Sequence, residues 1–215
     1  MTSNELRSRI TAHCILKGIG SPLAIGLFFV GYFFVLQNPI FPVRMVQVLA
    51  IDRWIPLLPW SVWLYFSLWA YVCLPQALMR ELRPMGHYLL GATALSGLGL
   101  LIFVLSPTAV PAWGVDWSLY PSLAFLKEAD ASGNACPSLH VAFAVFSGLW
   151  IRSLIQRLAA HPNWHWINGL WCFGIILSTM TTKQHVFWDV LAGAALGGLV
   201  FALNYWWLKR SQVVL

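Results

Sequence analysis

The stretch GIGSPLAIGLFFVGYFFVLQNPIFPV, residues 18–43, runs without a single Asp, Glu, Lys or Arg. A helix that crosses a bilayer needs roughly 20 consecutive apolar residues, and this run supplies them with room to spare. Five further charge-free runs follow at 54–79, 84–115, 131–151, 158–182 and 190–208. Backbone in lipid must satisfy its own hydrogen bonds, and none of these runs shows the alternation of a barrel strand. They predict an all-α, polytopic membrane protein folded as a six-transmembrane-helix bundle.

Composition agrees. Of the 215 residues, 59% are hydrophobic and 9% charged, and the mean hydropathy is +0.71, outside the range of ordinary soluble domains. Arg7, Arg9 and Lys17 precede the first run like the basic start of a signal peptide. That run is too long for a signal core and lacks a small-x-small cleavage site, so it reads as a retained anchor. Six spans and short connections use up the sequence, which makes 1–215 a single membrane-embedded domain.

The net charge of +6 raises nucleic acid as a partner, but the cations form no patch. With a cytoplasmic N-terminus, Arg7, Arg9, Lys17, Arg80, Arg83, Arg152, Arg157, Lys209 and Arg210 fall inside, while Arg44, Arg53, Lys127 and Lys183 fall outside. This is a positive-inside distribution: it predicts cytoplasmic termini and no nucleic-acid partner. Many of the 13 tryptophans stand near span ends, where amphipathic rings prefer the interface. The four cysteines have no C-x-x-C spacing and predict neither a disulfide nor a thiolate metal site.

Two stretches carry chemistry. In CPSLH, residues 136–140, Pro137 suits the first turn of a helix, so the fourth helix is expected to begin at residues 136–138. The unpaired amides of that turn make an anion site to which Ser138 adds a hydroxyl, and His140 shares the turn. In TTKQHVFWD, residues 181–189, His185 and Asp189 are four apart and share a face if helical. The carboxylate would then fix one imidazole nitrogen and leave the other available. Ionisable groups at a span's start are costly to keep and mark function. The fourth and sixth helices both start outside, so His140 meets the His185–Asp189 pair on one membrane face. The G-x-x-x-G of Gly193 and Gly197 lets the two helices pack closely. Two histidines, one backed by a carboxylate, beside a helix N-terminus and Lys183, suit phosphoryl transfer.

CPSLH followed by HVFWD resembles the second and third signature motifs of the type 2 phosphatidic acid phosphatase superfamily, and TTKQH is similar to its inositol phosphorylceramide synthase-like branch. The resemblance implies that His185 is the nucleophile forming a phosphohistidine, Asp189 its orienting partner and His140 the general acid, with Ser138 cradling phosphate and no metal or other cofactor. Thr179 stands where the superfamily usually has an arginine six residues before the nucleophile, so phosphate clamping is expected to pass to Lys183. In QALMRELRP, residues 76–84, Arg83–Pro84 matches the end of the first motif, but Gln76 replaces its lysine. This segment falls on the inner side and reads as a positive-inside turn. In the outer turn SPTAVPAW, residues 106–113, Ala112 occupies the expected arginine position.

The connection 107–135 is long for a compact bundle. Leu119, Leu123 and Leu126 recur in it at helical spacing, which fits an interfacial lid or equally a solvated loop, and Lys127 is a further phosphate-binding candidate. Three classes of function stay open. The first is a phosphatase acting on a lipid phosphate or pyrophosphate, with a phosphotransferase that delivers the group to an alcohol as its close variant. The second is a metal-dependent hydrolase holding its ion with His140, His185 and Asp189. The third is a lipid transporter. The partner is expected to be a lipid phosphate, the oligomeric state is left open, and the short connections suit a bacterial inner membrane with a periplasmic site.

Overall fold

The computed structural model describes residues 3–130 and 133–210, so the first two residues of the charge-free run 131–151 lie outside the described residues. The described chain is mostly helical. Helix α1 (Ser3–Thr11) leads into α2 (Cys14–Gln37), the apolar helix read from the opening stretch. A two-residue strand, β1 (Arg44–Met45), and short α3 (Ala50–Trp54) follow.

The run 54–79 is not one regular helix. It is divided into a 3-10 turn (Pro59–Ser61), α4 (Val62–Phe66), α5 (Leu68–Tyr71) and α6 (Leu74–Leu78). Local chemistry explains the breaks. Pro59 opens the first turn and Pro75 removes an amide at the start of α6. Between α4 and α5 the Ser67 hydroxyl donates to the Leu64 carbonyl at 2.6 Å, a back-bond that bends helices. Hydrogen bonds still join the pieces: the Ser67 and Tyr71 amides donate to the carbonyls four residues earlier on either side of the first break, and the Cys73 amide donates to the Ala70 carbonyl at 3.1 Å across the second.

The remainder is more regular: α7 (Leu82–Leu105), strand β2 (Thr108–Ala109), a 3-10 turn (Trp117–Leu119), α8 (Pro121–Asp130), α9 (Leu139–Arg157), α10 (Asn163–Thr181) and α11 (Phe187–Arg210). Helices α2, α7, α9 and α11 are long and apolar enough to cross a membrane. Among the described residues these four meet that description, against the six spans expected from the charge-free runs. The 19-residue α10 starts with the polar sequence NWHWIN, and 54–79 is segmented.

Helix α9 is the centre of the bundle, with residues on every face buried, including Phe146 and Trp150. Helix α11 lies directly on it. A Cβ at Gly193 would overlap the Ser138 carbonyl, and one at Gly197 the Ala142 backbone, so the G-x-x-x-G is what permits this approach. The C-terminal end of α7 returns to the start of α9, where Thr108 accepts from the Cys136 amide through Oγ1 at 2.8 Å. β1 pairs in parallel with β2, Arg44 opposite Thr108. Arg44, Arg53, Lys127 and Lys183 thereby gather at one end of the bundle. At the other end Lys17 donates to the Arg9 and Met79 carbonyls at 2.7 and 2.8 Å, tying α1 and α2 to α6.

Two helix starts differ from expectation. Helix α9 opens at Leu139, so Pro137 lies before it, after a cis peptide bond, and Ser138 is the N-cap. Serine is a strong N-cap: its extended backbone lets Oγ accept from the Val141 amide at 3.3 Å. Helix α11 opens at Phe187, which leaves His185 in the preceding turn and not on a shared helical face with Asp189.

Candidate active site

His185 is held by the turn that joins α10 to α11. Lys183 takes a left-handed conformation (φ 56°), and this reversal lets the Gln184 and His185 amides both donate to the Thr179 carbonyl, at 3.1 and 3.0 Å. Asp189, in the first turn of α11, is fully buried. Its Oδ2 accepts from the Val186 amide at 3.1 Å and lies 3.5 Å from His185 Nδ1. That spacing is an ion-pair approach and longer than a formed hydrogen bond. His185 Nδ1, the nitrogen facing Asp189, makes no formed hydrogen bond among the described residues, and Nε2 is the ring nitrogen remote from the carboxylate.

His140 sits in the first turn of α9. Its Nε2 lies 2.8 Å from the Tyr65 carbonyl. A carbonyl only accepts, so Nε2 carries a proton and Nδ1 is the ring nitrogen outside this contact. The imidazole also stacks on the Tyr65 ring, centroids 3.7 Å apart and planes 15° from parallel. Tyr65 therefore fixes both the tautomer and the plane of this ring.

The two histidines line one cavity of about 440 Å³. Its walls are aromatic: Phe28 and Tyr32 from α2, Tyr65 and Trp69 from the segmented region, Phe125 from α8, Phe143 from α9. Asn134 is the other strongly polar residue on the lining. A cavity of this size and character suits an apolar ligand oriented by a few polar groups. Around His185 several buried polar atoms lack partners among the described residues: His185 Nδ1, Asp189 Oδ1, both side-chain amide atoms of Gln184, and Trp113 Nε1. Unpaired buried polar groups are uncommon, and their clustering here makes this turn the candidate functional site.

Residues 82–212, from α7 to the end of α11, match the family model of the PAP2 superfamily. The chain belongs to the PAP2 superfamily. No curated protein and no solved structure matches it. PAP2 is a phosphatase and phosphotransferase family, and its membrane-embedded members fit a lipid phosphate as substrate class.

The matched region contains His140, His185, Asp189, Ser138, Lys183 and Lys127, but the structure does not bring all six to the cavity. Ser138 is fully buried: besides capping α9, its amide donates to the Asp189 carbonyl at 3.0 Å, so it joins the two motif helices directly. The amides of Leu139 and His140 are the first two of α9 and have no acceptor among the described residues. The Lys183 ammonium turns away from the cavity lining. It donates to the carbonyls of Asp52 (2.9 Å) and Ile55 (2.6 Å) and lies 4.3 Å from the centre of the Trp113 ring. Burial lowers its pKa, and the charge of Asp52 acts in the opposite sense. Lys127 donates to the Lys183 carbonyl at 2.8 Å and lies over Trp117. Both lysines therefore brace the His185 turn. Among the described residues, no three His, Cys, Asp or Glu side chains converge as metal ligands.

The residues that sequence reading passed over lie outside the PAP2 match. Tyr65 had no signal beyond its place in an apolar run. Asp52, in AIDRW, is one acid amid apolar neighbours, which was its only cue. It is 2% exposed. Arg83 opens α7, a helix of 24 residues that ends near the site, which puts it roughly 35 Å away.

Proposed function

We propose that this protein is a membrane lipid phosphatase that hydrolyses a lipid phosphate or pyrophosphate through a phosphohistidine. His185 Nε2 attacks phosphorus. The bond from phosphorus to the lipid oxygen breaks as protonated His140 delivers a proton to that oxygen. Water then attacks the phosphohistidine with His140 as base, releasing inorganic phosphate and restoring His185. Asp189 stabilises the charged imidazole of His185 and fixes its orientation. The Leu139 and His140 amides, at the positive end of α9, receive the phosphoryl oxygens. Lys183 and Lys127 contribute positive potential from behind the turn.

The observation that carries this reading is that both histidines, one with a buried carboxylate behind it, open into the same aromatic cavity. The reading includes six crossings, with the bonded column 59–78 and α10 as the second and fifth, termini in the cytoplasm, and the site on the periplasmic face of a bacterial inner membrane. Nine cations at the far end against four at the site end support that orientation. Placement in the inositol phosphorylceramide synthase-like branch rests on TTKQH alone.

The test is phosphate release in detergent with excess chelator, from a panel of lipid phosphates and pyrophosphates, comparing wild type with His185→Ala. Release by wild type alone supports a metal-independent phosphatase. Release abolished by chelator would replace this mechanism with a metal-dependent one. A folded wild type that releases nothing from any lipid would favour transfer to an alcohol acceptor.

A further inference from the structure

The turn that carries His185 is held from two directions. One hold is local and obvious: the Thr179 carbonyl accepts from the amides of Gln184 and His185. The other comes from 135 positions earlier in the chain, where Asp52 Oδ1 accepts from the amide of Phe187, the first residue of α11, at 2.7 Å. Asp52 Oδ2 accepts from the Leu49 amide, also at 2.7 Å, which fixes the carboxylate within its own short helix. The Asp52 backbone carbonyl receives the Lys183 ammonium. A single buried residue thus grips the turn on both sides of His185, at Lys183 and at Phe187.

Adjacent contacts make this a platform. The Leu58 amide donates to the Thr181 carbonyl at 3.0 Å, and the Ser61 and Thr181 hydroxyls are 2.7 Å apart. Helix α11 has no side-chain N-cap of its own: residue 186 is valine, which cannot accept. A carboxylate at a helix N-terminus satisfies an orphan amide and complements the helix dipole, and Asp52 supplies it from a distant segment.

We propose that Asp52 is a positioning residue for the phosphoryl-transfer reaction, acting as the remote N-cap of α11 that fixes His185 against Asp189. The inference rests on the phosphatase reading above and adds to it a residue outside the PAP2 match, which begins at residue 82. Asp52 does not line the cavity, so it has no contact through which to bind substrate. Its influence passes through the position of the His185 imidazole. A misplacement of about 1 Å at a reacting group costs on the order of 100-fold in rate.

The experiment uses the full chain in detergent and the variants Asp52→Asn, Asp52→Ala and Asp52→Glu. Steady-state phosphate release is measured together with hydrogen exchange of peptides covering 179–190 and 139–150. Asp52→Asn has the same shape but presents an amide N–H to one of two backbone donors. The expected result is a drop in kcat of roughly 10- to 100-fold with KM within about threefold, larger for Ala than for Asn. Exchange should quicken at 183–188 while 139–150 stays protected. Unchanged kcat in a folded Asp52→Ala overturns the proposal. A uniform rise in exchange across both peptides, or KM rising in step with the loss of kcat, also overturns it, because either marks a general structural role. If wild type is inert on every lipid phosphate yet exchange quickens only at 183–188, the phosphatase reading fails and the clamp on the His185 turn stands.

Discussion

Helices α2 and α9 are both apolar spans, and α2 is the more apolar of the two. Yet no residue of α2 is buried, whereas α9 is buried around nearly its whole circumference. In water that order would be reversed, since burial follows hydrophobicity. In a bilayer the lipid tails are as apolar as leucine, so greasiness gives no reason to be central. What centres α9 is shape: Gly193 and Gly197 of α11 admit its backbone, and Tyr88 on α7 meets it with a hydroxyl 2.9 Å from that of Ser147. The site follows the same division. α9 and the turn before α11 bring the two histidines of the cavity, and α2 brings aromatic wall.

The largest expected effect lies at that turn. His185→Ala should lower phosphate release by at least roughly 1,000-fold and remove any acid-labile phosphoenzyme, as loss of a nucleophile does elsewhere. Radiolabel trapping on a gel checks it. His140→Ala should cost roughly 100- to 10,000-fold in kcat, the usual worth of a general acid. A substrate with a good leaving group should recover much of that loss, because its oxygen needs no proton, and should recover none in His185→Ala.

The packing contrast is tested next. Gly197→Leu forces a side chain into the Ala142 backbone and should destabilise the fold by roughly 1–3 kcal/mol or more, with activity falling alongside. A Cβ at the exposed Gly26 on α2 would meet nothing within 4 Å, so Gly26→Leu should leave melting temperature and turnover unchanged. Equal damage from both would mean that α2 packs as tightly as α9. The smallest effects belong to the far end. Gln76, whose Oε1 accepts from Ser21 at 2.7 Å, and Arg83 should each tolerate alanine with less than about a threefold change in kcat. A loss comparable to His140→Ala would place that end in the reaction.

The two motif stretches were visible in the sequence because their residues lie close together. Yet Ser138 was expected to bind phosphate and instead caps α9 through Val141, and His185 was expected on one helix with Asp189 and instead lies in the turn before it. The bends at 54–79 were partly readable from Pro59 and Pro75, but the Ser67 back-bond was not, since a serine in an apolar run carries no sign of which way its hydroxyl turns. The role of Lys183 was hidden for another reason. As an isolated cation beside two histidines it fits a phosphate, and only the carbonyls of Asp52 and Ile55 show that its ammonium is already engaged.

By itself the sequence determined the solvent, the helical class, the sorting of cations to two ends, and the two histidine motifs that make up the candidate site. Each follows from properties summed along the chain or from neighbours a few residues apart. Tertiary structure alone decided that Tyr65 orients His140, that Asp52 caps α11, and that the aromatic rings of α2 close the cavity. The first two contacts join residues 75 and 135 positions apart. Such pairings depend on which helix faces meet, and in a bilayer hydropathy does not select those faces; close packing and hydrogen bonding do.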